Sequence, residues 1–404
     1  MDKQYKKLIA AAMLLLGAGW GLNSNVSSVF IEPIASDLGV LHGDVSLHMT
    51  LIVFTNAILG PLAPKILQRV KYKHLIIVGV ALMAAAAFLS SQITAVWQLN
   101  LLGIVRGAAL GLIGTVPMAI LINNWFVSKH GFVSSLIFAS SGIGGALFSP
   151  IIAQIIEHLG WRWAYIFVAI GLILCAIPCI SIDFALTPEE VGHQPYQRLS
   201  EHSQGPSSGQ TNNGLSSFSY QSPVYWLILI AGLFATALVG LTSHMPTIAG
   251  FSGFSLTVGS LLLSMVMIGN IVFKLGIGTI SDRTSPTTAF LVIACICQLG
   301  LALIAIGQSP LIMLVGGLLF GSIYAMIAVG TQLLIKEIFG TESFAKAFAA
   351  ISVIQGVGGA LTVTLYGYSF DFLQAAQPAI YTSMVLLALA MLAIFSAKKL
   401  AQSK

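Results

Sequence analysis

The sequence predicts an all-α membrane protein of twelve transmembrane helices, arranged as two related six-helix bundles. Three observations carry this. The chain is 57% hydrophobic and only 8% charged, where a soluble domain carries about 25% charged residues. Its apolar residues gather into stretches of the ~20 residues a span requires. A single offset of 214 residues also lays parts of the first half over the second, as Asn56 over Asn270.

Taken in order, the expected spans run over 8–30, 45–67, 75–94, 98–122, 131–157, 162–182, 223–246, 257–280, 287–306, 310–335, 346–370 and 378–397. The basic start, Met1 to Lys7, leads into the apolar run Leu8 to Phe30. That run exceeds the ~7–15 residues of a signal-peptide core, and no small-residue cleavage site follows it. It is expected to stay as the first helix. An even number of spans puts both termini on one side. Of the 18 Lys and Arg, 15 fall on that side, only Arg162 falls on the other, and Arg106 and Lys274 lie within spans. The positive-inside rule makes the terminal side cytoplasmic, and the plasma membrane is the expected location. The net charge of +5 therefore reflects topology and implies no nucleic-acid partner.

Between spans six and seven lies the longest polar stretch, Asp183 to Ser222. Its middle, Gln204 to Gly214, has the composition of a flexible linker. It separates residues 1–182 from 223–404, six spans each. The offset that joins the asparagines also lays Gln68-Arg69 over Asp282-Arg283, Gly103-x3-Gly107 over Gly317-x3-Gly321, and Gly142-x-Gly144-Gly145-Ala146-Leu147 over Gly356-x-Gly358-Gly359-Ala360-Leu361. Six spans form an even unit, so the copies point the same way, as parallel repeats do. Two such bundles can rock about a midplane site.

Lys274 is the first candidate for chemistry. A charge inside a span costs ~2.5 to 3.5 kcal/mol on insertion scales, so it needs a partner, a wet cavity or a route to the interface. Its ammonium can hold a carboxylate, or it can snorkel to the headgroups. Asn270 lies one turn earlier on the same helical face. Arg106, near the middle of span four, is either a second anion contact or a brace to span one, with Gly103 and Gly107 permitting close approach. Trp20, Asn23 and Asn25 make span one unusually polar and are candidates to line a cavity, although Asn23 and Asn25 project in different directions. Tyr324 in span ten and Gln355 in span eleven complete the binding candidates.

For coupling, His244 near the outer end of span seven is of the one residue type whose unperturbed titration falls in the useful range, and is read either as a proton sensor or carrier or as an interfacial histidine beside Pro246. Of the 13 carboxylates, Glu32 comes closest to a buried position. A central acidic residue is missing, which disfavours proton antiport of cationic drugs. Trp97, Trp125, Trp161, Trp163 and Trp226 near span ends are expected to form an interfacial belt. The four cysteines, Cys175, Cys179, Cys295 and Cys297, have no histidines at ligand spacing. No metal, cofactor or enzyme activity is expected.

The chain resembles a major facilitator superfamily transporter over its whole length. Gly276-x-Gly278-Thr279-Ile280-Ser281-Asp282-Arg283 resembles that superfamily's signature between spans eight and nine, making Asp282 and Arg283 gating candidates. The first-half copy, Gly60 to Lys73, has Gln68 where an aspartate is usual. Gly19-Trp20-Gly21, Trp125-Phe126-Val127-Ser128-Lys129-His130-Gly131, Gly160-Trp161-Arg162 and Thr187-Pro188-Glu189-Glu190-Val191-Gly192 resemble the monocarboxylate and oxalate–formate carrier branch. That branch usually has Asn or Asp, three residues, then Arg in span eight; here Asn270-x3-Lys274 stands, and lysine lacks the planar fork of arginine. His130 stands where Arg is common.

The resemblance implies the major facilitator fold and a monomer that carries small organic anions, monocarboxylates foremost, by alternating access. Transport is secondary active or facilitative, with protons or a counter-anion as coupling partners. Lys274 and Asn270, joined by Arg106, would hold the carboxylate between the bundles. The missing cation in span eleven leans toward monoanions. The alternative is an exporter of drugs or other hydrophobic compounds, with the two cations structural.

Overall fold

The computed structural model describes residues 3–127, 130–182, 184–196, 215, 219–307 and 309–402. The expected linker core 204–214, and Lys129, Arg198 and Lys404 of the charge pattern, lie outside the described residues. Among the described residues the chain is all-helical apart from one isolated bridge, Phe126 with Tyr196. Twelve helical segments are long and apolar enough to cross a membrane: Lys3–Leu38, His42–Leu67, Tyr72–Ser90, Val96–Trp125, Phe132–Leu159, Trp161–Ser181, Pro223–Thr242, Leu256–Arg283, Pro286–Ile306, Pro310–Gly340, Lys346–Leu373 and Gln377–Gln402. They are numbered here as spans one to twelve. The chain divides into two compact units, Met1–Ser207 and Ser208–Lys404.

Span starts follow capping chemistry. Ser255, Ser285 and Ser309 each accept a hydrogen bond from the backbone N–H three residues on, and Pro286 and Pro310 open their helices. A serine cap satisfies one otherwise orphaned donor, and a proline at the first position forfeits none.

The 214-residue repeat reappears as packing. In the N-terminal unit span four crosses span two at two glycines. A Cβ on Gly103 would fall 2.7 Å from the His48 carbonyl oxygen, and one on Gly107 would meet the Ile52 carbonyl, with its Cα at 2.8 Å. In the C-terminal unit span ten crosses span eight at Gly317 and Gly321. A Cβ there would fall 3.0 Å from the Leu262 carbonyl oxygen and against the Val266 carbonyl. His48 and Leu262, like Ile52 and Val266, are related by the same offset. The repeated glycines thus mark the same backbone-to-backbone crossing twice.

Four spans expected as continuous helices are broken, span two by the 3-10 turn Gly60–Leu62. Span one is α-helical over Lys3–Leu16, π-helical over Gly17–Leu22, 3-10 over Asn25–Phe30, and α-helical again over Ile31–Leu38. Gly21 abuts Gly144 of span five there, with 2.6 Å from an added Cβ to the Gly144 Cα. Span four breaks at Gly114, between Val96–Ile113 and Thr115–Trp125. The Tyr72 hydroxyl donates to the Ile113 carbonyl at that break, 2.8 Å away, so the group freed from the helix stays satisfied. Span ten passes from Pro310–Phe320 through the short turn Ile323–Ala325 and the π-helical Met326–Gly330. Helix resumes at Thr331 and runs on into span eleven across a bend at Gly340, whose φ is 73°.

Two further expectations are corrected. Span eight, expected to end at 280, stays helical through Gly276–Arg283; the chain leaves the helix only at Thr284. One or two glycines lower helix stability by about 1 kcal/mol each, too little to end a span flanked by good formers. The tryptophans do not form one belt. Trp97, Trp163 and Trp226 are exposed, but Trp125 and Trp161 are buried. The Trp161 indole donates to Asp37 at 3.2 Å. The Trp125 indole donates to the Ala185 carbonyl at 2.9 Å.

That last contact belongs to a packed strap. Residues 184–196, expected as linker, lie against the N-terminal unit. Phe184 is buried, the Tyr5 hydroxyl donates to the Gln194 carbonyl at 2.9 Å, and Tyr5 stacks edge-on with Trp125, Phe126 and Tyr196. In the C-terminal unit Glu337 of span ten accepts from the Thr287 amide and hydroxyl, and pairs with Lys398 of span twelve at 3.1 Å.

Candidate solute-binding residues

In the C-terminal unit the break in span ten decides the geometry. It turns Tyr324 toward spans seven and eight. The Tyr324 hydroxyl shares a hydrogen bond with the Thr242 Oγ1 at 3.0 Å, and the Lys274 Nζ lies 6.0 Å from the Tyr324 ring centroid. That is the outer reach of a cation–π contact. Lys274 is half-buried, and among the described residues it makes no ion pair. One turn earlier Asn270 is buried, its amide oxygen without a hydrogen-bond partner. Asn270 is held there because Gly321 lets the two backbones meet, with 2.9 Å from an added Cβ to the Asn270 amide nitrogen. Lys274, Asn270 and Tyr324 are therefore gathered where spans eight and ten cross.

Gln355 is buried elsewhere in the unit. Its Nε2 occupies the space that a side chain on Gly232 of span seven would fill, and it has no hydrogen-bond partner. His244 is fully buried, not interfacial. It bonds through Nε2 to the Val363 carbonyl at 2.7 Å and packs on Phe370, tying span seven to span eleven. Pro246 does not end the span at the surface; it opens the short helix Met245–Phe251 that covers the histidine.

In the N-terminal unit Arg106 is only 1% exposed. Its Nε donates to Asn23 Oδ1 at 2.8 Å and its Nη2 to Ser27 Oγ at 2.9 Å and to the Asn23 carbonyl. The π-to-3-10 break in span one presents this carbonyl. Tyr165 of span six lies beside the guanidinium, 5.9 Å from ring centroid to Cζ. Three of the guanidinium's donors are spent inside the unit, which is the bracing arrangement. Asn25 points away, its Nδ2 donating to the Ser141 carbonyl at 3.2 Å, and the Trp20 indole donates to Thr115 Oγ1 at 3.0 Å. Arg106 and Asn23 meet; Trp20 and Asn25 face span four and span five instead.

Glu32 is exposed rather than near-buried, and pairs with His42 at the start of span two. The helix that restarts at Ile31 places it in a first turn, where a carboxylate faces the helix's positive end and solvent. Asp282 and Arg283 are both exposed, without an ion pair among the described residues.

One buried polar residue escapes sequence reasoning. His48 of span two is completely buried under Gly103, 3.2 Å from an added Cβ to its own Cβ. Its place six residues after the span begins reads as interfacial. The repeated Gly103-x3-Gly107 was the available signal that something is pressed against that face.

The Major Facilitator Superfamily model matches residues 9–363. The chain belongs to the Major Facilitator Superfamily. That family is one of membrane transporters rather than enzymes, and the twelve candidate spans fit a multi-pass member of it. The chain is 26% identical over 296 residues to the "Probable transporter MCH2" of Saccharomyces cerevisiae, covering 69% of this chain and 59% of that protein. The matched stretch thus spans less than two thirds of that relative. Identity to monocarboxylate transporter 4 of Mus musculus is 21%, over 89% of this chain and 78% of that one. Identity to the multidrug export protein EmrB of Haemophilus influenzae is 28%, over 44% and 35%. The crystal structure of the nucleoside transporter NupG superposes with a TM-score of 0.72 at 12% identity, covering 97% of this chain and 99% of the other. At that identity the likeness speaks for the fold.

Proposed function

We propose that this superfamily member carries small organic anions, monocarboxylates foremost, by alternating access, with Lys274 as the cation that receives the carboxylate. One observation carries the proposal. Lys274 sits within a span, half-buried, with no ion pair among the described residues. A cation held in an apolar span at a cost of ~2.5 to 3.5 kcal/mol is most economically explained by an anion that visits it. Asn270 and Tyr324 beside it supply polar atoms to orient that anion. The relative named as a monocarboxylate transporter supports the same solute class. Arg106 is withdrawn from direct binding by its bonds to Asn23 and Ser27 and serves as a positioning residue. The distribution of Lys and Arg supports cytoplasmic termini; a plasma-membrane location and a monomeric carrier are proposed from the family alone.

The test is counterflow in proteoliposomes loaded with a panel of carboxylates. Saturable exchange of a monocarboxylate by the wild type, lost in Lys274→Gln, supports the proposal. Carboxylate exchange that survives Lys274→Gln overturns it. A second reading, export of hydrophobic compounds, draws on the match to a multidrug export protein. Transport of lipophilic compounds without any carboxylate exchange would put it first.

A further inference from the structure

We propose that the N-terminal unit holds the phosphate headgroup of an anionic lipid, in a cleft between the start of span one, the end of span six and the strap 184–196. The site is separate from Lys274. The proposal rests on the cytoplasmic placement of the termini and not on the choice of solute.

The cleft has a volume of about 270 Å³. Gln4, Lys7 and Leu8 of span one line it together, because residues three and four apart share a helical face. The strap supplies the next polar group. Thr187 and Glu190 cap the 3-10 turn Pro188–Val191, Gly192 turns the chain at a φ of 71°, and the His193 amide donates back to the Pro188 carbonyl at 2.9 Å. Farther on, the Tyr5 hydroxyl holds the Gln194 carbonyl at 2.9 Å, and the Tyr196 amide donates to the Trp125 carbonyl at 2.8 Å. These bonds fix His193 beside Trp125, with ring centroids 6.1 Å apart. The strap is thus fastened on both sides of His193, and the cleft is built into the unit.

Charge and donor inventory name the ligand. Among the described residues Lys7 makes no ion pair, and no carboxylate lines the cleft. The Ser181 hydroxyl at its edge spends its proton on the Ile177 carbonyl at 2.8 Å. What is left open is the Lys7 ammonium, the Gln4 amide and the His193 imidazole, and each can donate. Several donors converging on one space, with a positive charge among them, fit an anionic oxygen. A neighbouring cleft of about 250 Å³ carries Lys71 and Lys73 but also Glu190, whose carboxylate would repel such a ligand. The other walls of the first cleft, Leu8, Trp125 and Ile182, are apolar. They stand at the ends of spans, where headgroups meet acyl chains. Basic pockets between spans on the cytoplasmic side suit anionic headgroups. A choline headgroup would set its own cation against Lys7, and free phosphate has no acyl chain for the apolar walls.

The test measures retention of labelled dioleoylphosphatidylglycerol by the purified full chain in detergent micelles. The wild type should saturate with this lipid, and dioleoylphosphatidylcholine should not compete. Lys7→Gln should raise the half-saturating mole fraction about fivefold, the worth of one lysine near an anionic headgroup, and adding His193→Gln should raise it further. Lys399→Gln removes an exposed lysine near the end of span twelve and should leave retention unchanged. Equal weakening by Lys399→Gln would show diffuse surface charge and overturns the site. Competition by phosphatidylcholine overturns it as well. Displacement of the lipid by millimolar inorganic phosphate assigns the cleft to a free anion and overturns the lipid. Should Lys7→Gln not fold, acetylation of the wild type decides. Phosphatidylglycerol should shield Lys7 several-fold more than Lys399, and equal labelling of the two overturns the proposal.

Discussion

Adding one methyl group at Gly107 or Gly321 should separate the two helix crossings that the repeat has built. At Gly107 the new Cβ would stand 2.8 Å from the Ile52 Cα, and at Gly321 2.9 Å from both the Asn270 nitrogen and the Gly269 Cα. Ordinary carbon contacts begin near 3.5–4.0 Å, so each helix pair must part by about 1 Å. The opposing atoms are backbone and cannot swing aside. Overpacking of this kind costs about 1–3 kcal/mol. Glycine-to-alanine in a helix also gains about 1 kcal/mol of propensity, and Gly276→Ala isolates that gain, because a Cβ there meets nothing within 4 Å. The useful quantity is therefore the difference in melting temperature between Gly107→Ala, or Gly321→Ala, and Gly276→Ala. With about 2–4 °C per kcal/mol for units of this size, the difference should be roughly 2–12 °C, of similar size in the two units. Fluorescence-detected melting of the purified protein in detergent measures it. Gly107→Ala and Gly321→Ala melting together with Gly276→Ala would refute the tight crossings.

Other substitutions test the remaining contacts. Lys274→Gln should abolish saturable monocarboxylate exchange in counterflow, and Lys274→Arg should recover much of it. Arg106→Met should lower the melting temperature by several degrees, since Asn23 Oδ1 loses its 2.8 Å donor in a buried place at about 1–3 kcal/mol. An unchanged melt would deny the brace. Glu337→Gln weakens the half-buried pair with Lys398 but keeps an acceptor for Thr287, so its melting temperature should fall by only a few degrees. A larger fall would show that the charge dominates this junction.

The spans were legible because hydropathy sums over ~20 residues and needs no three-dimensional knowledge. The repeat was legible because backbone contact tolerates only glycine, so Gly103, Gly107, Gly317 and Gly321 stand out at one offset. The breaks in spans one, four and ten were not, since a π or 3-10 turn exchanges one backbone hydrogen bond for another and leaves the hydropathy unchanged. Those breaks place Tyr324 beside Lys274 and the Asn23 carbonyl beside Arg106. Lys274 and Asn270 could be singled out from spacing; the pairing of Arg106 with Asn23 could be framed as one alternative only. His48, Trp125 and Trp161 were misplaced or missed for a common reason. Polar and aromatic residues near a span's end favour the interface on average, but the packed strap 184–196 covers Trp125, the Gly103 crossing covers His48, and Trp161 packs on Tyr165 and donates to Asp37.

The shared crossings carry an evolutionary consequence. At the offset that preserves the glycines, Arg106 falls opposite Phe320, His48 opposite Leu262, and Lys274 opposite Gly60. Duplication of a six-helix ancestor would explain this contrast. Where two backbones touch, both copies had to keep what the first one had. Where side chains point inward, each was free to specialise, and the two cations came to rest in different halves at positions the other half fills with an apolar residue or a glycine.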